Sequence, residues 1–166
     1  MTDGTSLETY PIHLGLGAKA EPQPAFPRDE GAMEWYADYA RRNEADGFEG
    51  RLVSSYTFTE SWPMWEMHPN GSEVVICTAG RMTLHQELAD GTARTVTLEP
   101  GRYAINPAGA WHTADIEGEA AAVFITSGIG TQHRPRWRGP ASSNTDSVTN
   151  CDTLRVSRHN GATLPL

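Results

Sequence analysis

Basic residues are scarce in this chain: 13 Lys plus Arg stand against 21 Asp plus Glu, a formal net charge of −8 over 166 residues. Nucleic acids and anionic membranes are bound through a basic footprint, so neither is expected as a partner. Long apolar runs are missing too, and none approaches the length of a membrane span. The opening MTDGTSLETYPIHLGLG has no basic stretch leading into an apolar one, so no signal peptide is expected. Cysteine is rare. Cys77 falls in an apolar strand candidate and Cys151 in a polar tail, which excludes a disulfide framework and fits a reducing, cytoplasmic compartment.

What the chain has in quantity is turn chemistry. Its 11 Pro and 16 Gly favour β structure over a helical bundle. The length suits one domain with a hydrophobic core. Residues 1–28, with Pro11, Pro22, Pro24 and Pro27, are expected as an extended N-terminal arm lying on the barrel or on a partner subunit. Residues 29–46 are the one helical candidate. Acidic residues open it, Met33, Tyr36 and Ala40 recur at helical spacing, Arg41 and Arg42 close it, and Gly47 follows as a stop.

From residue 50 the period changes to two. Strands are expected at 51–59, 62–68, 73–79, 81–88, 93–98, 102–106, 111–117 and 120–127. Between them lie Pro69-Asn70-Gly71, Ala79-Gly80, Asp90-Gly91, Pro100-Gly101, Pro107-Ala-Gly109 and Glu117-Gly118, all good turn sequences. Short strands so punctuated make an antiparallel sandwich or barrel, here over residues 47–138. Residues 139–166 form a polar C-terminal tail in which 153–158, TLRVSR, is a candidate edge strand.

Two short segments carry the chemistry. Glu66 and His68 are two apart on a strand and leave it on one face. The turn at Pro69-Asn70-Gly71 returns Glu73 beside them, and His112 follows a second turn of similar build. Two imidazoles and two carboxylates suit one divalent metal ion, with Fe, Mn, Ni and Zn all acceptable. The plainer alternative is two solvent-facing strand carboxylates and two satisfied core histidines. Four such residues together, both histidines beside Gly-Pro turns, favour the metal.

These segments resemble the two motifs of the cupin superfamily. The first motif runs G, five residues, H-x-H, three or four residues, E, six residues, G. His68, Glu73 and Gly80 meet it, but Glu60 replaces its first Gly and Glu66 its first His. The second runs G, five residues, P-x-G, two residues, H, three residues, N. Gly101, Pro107, Gly109 and His112 meet it, and Ile116 replaces the Asn. The resemblance implies a mainly β fold: a cupin-type antiparallel β-barrel, a jelly-roll-like double-stranded β-helix, here with one N-terminal helix. It implies a metal held by His68, Glu73 and His112, joined by Glu66. If Glu66 stays off the metal, it becomes a carboxylate beside a Lewis acid, placed as a catalytic general base.

Period two also names the pocket walls: Trp62 and Met64 share a face with Glu66 and His68, Val75 and Cys77 with Glu73, and Ala114 and Ile116 with His112. Filling of a small barrel is the competing reading of these six. Trp65, Met67 and Trp111 belong to the other face, toward the helix, the arm or a second subunit, while Tyr56, Phe58, Tyr103 and Phe124 are expected in the core. His133-Arg134-Pro-Arg136-Trp-Arg138 is a local basic run, read as a solvated exit strand or as a cover over the barrel mouth. His85 is expected on the exposed face, and nothing links His13 or His159 to the site.

The resemblance admits dioxygenase, isomerase, decarboxylase or lyase chemistry on a small polar or acidic metabolite, with a homodimer as the expected assembly. A non-catalytic metal- or ligand-binding module is the alternative, because loop residues decide reaction type on a shared fold.

Overall fold

The computed structural model describes residues 4–28 and 30–136. In chain order its regular elements are β1 (Ile12–Gly15), β2 (Lys19–Pro22), α1 (Ala32–Arg42), β3 (Arg51–Phe58), β4 (Met64–Met67), β5 (Glu73–Glu87), β6 (Ala93–Leu98), β7 (Tyr103–Asn106), β8 (Trp111–Thr126) and β9 (Gln132–Pro135). The strands pair antiparallel throughout, the mainly β arrangement with one helix that the pattern implied. Among the described residues, no helix is long and apolar enough to cross a membrane.

The two long strands, β5 and β8, are the frame. They lie side by side over their whole length, β8 also pairing with β3 and β4, and β5 with β6 and β7. Each merges two strands that the turn chemistry at Ala79-Gly80 and Glu117-Gly118 separates. The chain bends at these points without stopping, and the register slips between Cys77 and Ala79 and between Gly80 and Met82. A Cβ at Gly80 (φ +69°) would lie 2.0 Å from the Glu119 carbonyl oxygen, so only glycine lets the strands pass this closely.

Alternation buries Val75, Cys77, Met82 and Leu84 from β5 against Ala120, Ala122 and Phe124 from β8. Tyr56, Phe58 and Trp62 close on the Phe124 ring with centroids at 5.8, 6.0 and 5.9 Å. Each such side chain contributes about 1.5–3 kcal/mol through the apolar surface it buries. Tyr103 departs from expectation: it is 64% exposed, because β7 turns Ala104 and Asn106 inward.

The helix is shorter than its pattern, and its buried face is rotated. Ala32, Trp35, Tyr36 and Tyr39 are buried, while Met33 is 69% exposed. The face with three rings wins over the face with Met33 and Ala40, since it carries more apolar area. Phe26 packs between Trp35, Tyr36 and Tyr56. At Asn43 the backbone N–H and the side-chain amide both donate to the Tyr39 carbonyl, which ends the helix before Gly47.

The arm has regular structure of its own: β1 pairs with β3, placing Ile12 opposite Val53. His13 is buried there, with Nδ1 2.7 Å from the Tyr39 hydroxyl and Nε2 2.7 Å from Asp46. Cys151, His159, Trp137, Arg138, the 139–166 tail and the 153–158 edge strand lie outside the described residues.

Candidate metal centre

Two rows of side chains, set by strand register, meet inside the barrel. In the first, His133 on β9 faces Glu66 on β4, which faces His112 on β8, which faces Gln86 on β5. In the second, Asn106 on β7 faces Glu73 on β5, which faces Thr126 on β8. Antiparallel neighbours project onto the same face, so each row presents its polar groups to one interior. His68 enters from the turn after β4, where its carbonyl accepts the Gly109 N–H at 2.9 Å and ties the two motif turns together.

Glu66, His68, Glu73 and His112 are all buried. Glu66, His68 and His112 each offer an atom such that all three lie within 4.8 Å of one another, a grouping able to hold a metal ion. Glu73 stands against both histidines, 3.4 Å from His68 Nε2 and 3.1 Å from His112 Nε2. Its carboxylate is anchored from behind. Asn106 Nδ2 donates to Oε2 at 2.9 Å and the Thr126 hydroxyl to Oε1 at 2.7 Å. Gln86 in turn donates to Asn106 Oδ1 at 2.6 Å, linking the rows.

Both imidazoles are fixed in one tautomer by what surrounds Nδ1. The Thr131 hydroxyl lies 2.8 Å from the Gly128 carbonyl, to which it donates, so it accepts from His68 Nδ1, also 2.8 Å away. His112 Nδ1 lies 3.2 Å from the Ala110 carbonyl, an acceptor only. In the neutral imidazole each Nδ1 therefore carries the proton, which leaves Nε2 as the nitrogen able to ligate a metal.

The two carboxylates differ sharply. Burial pushes the Glu66 carboxyl above its usual range, and the nearby Glu73 charge adds to this against the partial relief from His133. Burial acts on Glu73 in the same sense, but the charge of His68 and the contacts from His112 and His68 outweigh it and hold Glu73 well below. Burial would lower His112, yet Glu73 beside it leaves it raised. His133 is raised by its contact with Glu66.

Five buried side-chain atoms find no hydrogen-bond partner among the described residues: Trp62 Nε1, both Glu66 oxygens, His68 Nε2 and His112 Nε2. Left so, each costs about 1–3 kcal/mol.

Of the six wall candidates, Trp62, Val75, Cys77 and Ala114 are fully buried and Ile116 packs against them, while Met64 is only partly covered. The Trp62 ring centroid lies 6.3 Å from that of His112. Trp65 and Trp111 both lie against the Arg134 guanidinium, 5.1 and 4.5 Å from their ring centroids. His133, Arg134 and Pro135 of the basic run thus belong to β9, an edge strand paired with β4.

Gln86, Asn106, Thr126 and Thr131 escaped the sequence reading, and His133 entered it only as part of the basic run. Three of them had a signal. Gln86, Asn106 and Thr126 are polar residues on strand faces that otherwise bury Met82, Leu84, Ala104, Ala122 and Phe124. Thr131 had none, since only the return of the chain into β9 beside β4 brings it near.

Residues 59–128 match the family model for the cupin domain. Among solved structures the chain is similar to an oxalate oxidase, at 16% identity and a TM-score of 0.43, covering 49% of this chain and 44% of that one. It is similar to hydroquinone 1,2-dioxygenase from Sphingomonas sp. TTNP3 at 19% identity and a TM-score of 0.40, covering 46% and 59%. It is also similar to an oxalate decarboxylase of Bacillus subtilis at 15% identity and a TM-score of 0.45, covering 58% and 26%. The chain spans about half the length of the first two, and the likeness is one of fold alone. No curated protein matches the chain. Residues 59–128 are thus similar to the cupin domain, with Glu66 in the place of the first histidine of that family's paired motif.

Proposed function

We propose that Glu66, His68, Glu73 and His112 hold one divalent transition-metal ion, and that the protein is a metal-dependent enzyme acting on a small polar or acidic molecule. The observation that carries this is the set of orphaned atoms. A cation among Glu66, His68 and His112 would satisfy four of the five at once, and imidazole with carboxylate suits Fe, Mn, Ni or Zn. Glu73 keeps lone pairs beyond those used by Asn106 and Thr126, so it completes the ligand set or balances the charge behind the histidines.

Such an ion supplies Lewis acidity toward an oxygen of a bound molecule. The protein's own groups do the rest. Thr131 and the Ala110 carbonyl keep His68 and His112 aimed inward. If Glu66 stays off the ion, it is the carboxylate placed beside it to take up or return a proton, with His133 Nε2 3.6 Å from Oε1. Trp62 Nε1 is the fifth orphan and a donor only, so it favours a ligand that brings an acceptor oxygen. Val75, Cys77 and Ala114 are fully buried apolar residues that follow the candidate ligands Glu73 and His112 along their strands.

Elemental analysis of protein purified without a nickel column, alongside His112→Ala and Glu66→Ala, tests the site. Near-stoichiometric metal in the wild type and its loss in His112→Ala are expected. Metal that survives the His112 change ends the proposal. Metal retained in Glu66→Ala would make Glu66 a base and not a ligand.

A further inference from the structure

The basic run at the end of the described chain has an inner and an outer side. On the outer side, Arg134 lies between the faces of Trp65 and Trp111 and pairs with Glu87. Arg136 Nη1 lies 2.8 Å from Asp115 Oδ1 and 3.2 Å from the Ala114 carbonyl. These contacts reach β4, β5 and β8, and they clamp β9 along the free edge of β4. The inner residue of the clamped pair is His133. It is in register with Glu66, with Nε2 3.6 Å from Glu66 Oε1, and its side chain is about one third exposed. Glu66 is fully buried, and the other imidazole nitrogen approaching Oε1 is His68 Nε2, at 3.9 Å.

We propose that His133 is the positioning residue of the metal centre: it steadies the Glu66 carboxylate from the solvent side, and the arginine clamp on β9 exists to deliver it there. This rests on the reading of Glu66, His68 and His112 as a metal site. Nε2 donates toward a carboxylate oxygen in its N–H tautomer and in the imidazolium alike, so the role does not depend on a change of charge. Groups that orient a ligand from outside the coordination sphere typically tune metal affinity 10–100-fold. His133 would stand to Glu66 as Thr131 and the Ala110 carbonyl stand to His68 and His112, across a longer 3.6 Å in place of their 2.8 and 3.2 Å. All three groups of the cluster are then oriented from outside.

Cobalt(II) binding to the full chain tests this, followed by titration calorimetry and by the visible d–d absorption, which reports ligand geometry independently of turnover. His133→Ala is expected to weaken cobalt binding about 10–100-fold and to alter the spectrum, with the urea midpoint of the metal-free protein unchanged. His133→Gln, which keeps an N–H donor at similar reach, is expected to recover most of the affinity. Wild-type-like affinity and spectrum in His133→Ala overturn the proposal and leave the metal site standing. So does a loss that Gln fails to rescue and that tracks a lowered urea midpoint, since β9 would then serve packing alone. A wild-type protein that binds no cobalt removes both readings.

Discussion

Asn106 and Glu73 face each other across the β5–β7 ladder, and the Asn106 amide donates to Glu73 Oε2 at 2.9 Å. Asn106 also accepts from Gln86, so its amide is satisfied at both ends. This pair decides which way β7 faces. With Asn106 turned in, Ala104 must follow, and Tyr103 and Ile105 are left on the surface.

Asn106→Leu should therefore strand buried groups on Glu73 and Gln86 and cost about 1–3 kcal/mol. Tyr103→Ser should stay within about 0.5 kcal/mol of wild type, despite the size of the ring removed. Urea denaturation of the metal-free variants checks both, and a large loss on Tyr103→Ser would contradict the register.

Thr131 sets the His68 tautomer, so its hydroxyl should matter to metal affinity far more than to folding. Thr131→Val is expected to weaken divalent-metal binding about 10–100-fold, and Thr131→Ser to restore it. Competitive titration against a chelating dye measures both. Equal binding in the valine variant would mean that His68 needs no partner at Nδ1.

Arg134 between Trp65 and Trp111 should contribute about 1 kcal/mol in this half-exposed setting. Arg134→Lys should recover little of it, because a compact ammonium lacks the planar face that lies along the rings. Chemical denaturation gives the energy, and red-shifted tryptophan emission in Arg134→Ala would report the rings opening to water. An Arg134→Lys protein as stable as wild type would assign the effect to charge and not to stacking.

Asp46 gives the arm an acid limit. Its carboxyl is held down to about 2, first by the hydrogen bond from Lys19 and then by that from His13. In the unfolded chain it titrates near 3.8, so between these values the unfolded state binds more protons. The stabilisation is thus fully present above pH about 4 and lost as pH falls toward about 2. Asp46→Asn should flatten that limb of the stability curve, read from Trp35 fluorescence during urea unfolding at each pH. An unchanged acid limb in the variant would place the sensitivity elsewhere.

Much of the barrel and half of the centre were legible before any coordinates. Glu66, His68, Glu73 and His112 stand at spacings and beside turns that only a returning β chain makes useful, and alternation alone placed Val75, Cys77, Phe58 and Phe124 inward. These are local properties: a side chain's face follows from the parity of its position within one strand. Parity failed where a long-range partner outweighed it. Tyr103 lost the interior to Asn106, and Met33 lost it to Trp35 and Tyr39.

What only the tertiary structure decided is which strands lie beside which. The separation of His133 from Glu66 along the chain carries no hint that they are cross-strand neighbours, and the same holds for Thr131 and His68. Register between distant strands is set by the whole barrel closing at once, through the bend at Gly80, the anchoring of Glu73 and the clamp on Arg134. The sequence by itself determined the identities of the candidate ligands and the kind of fold that gathers them. The packing determined how His68 and Glu73 are aimed, because hydrogen-bond partners distant in sequence, Thr131 for the one and Asn106 with Thr126 for the other, hold them in place, whereas His112 is held by the Ala110 carbonyl two residues away.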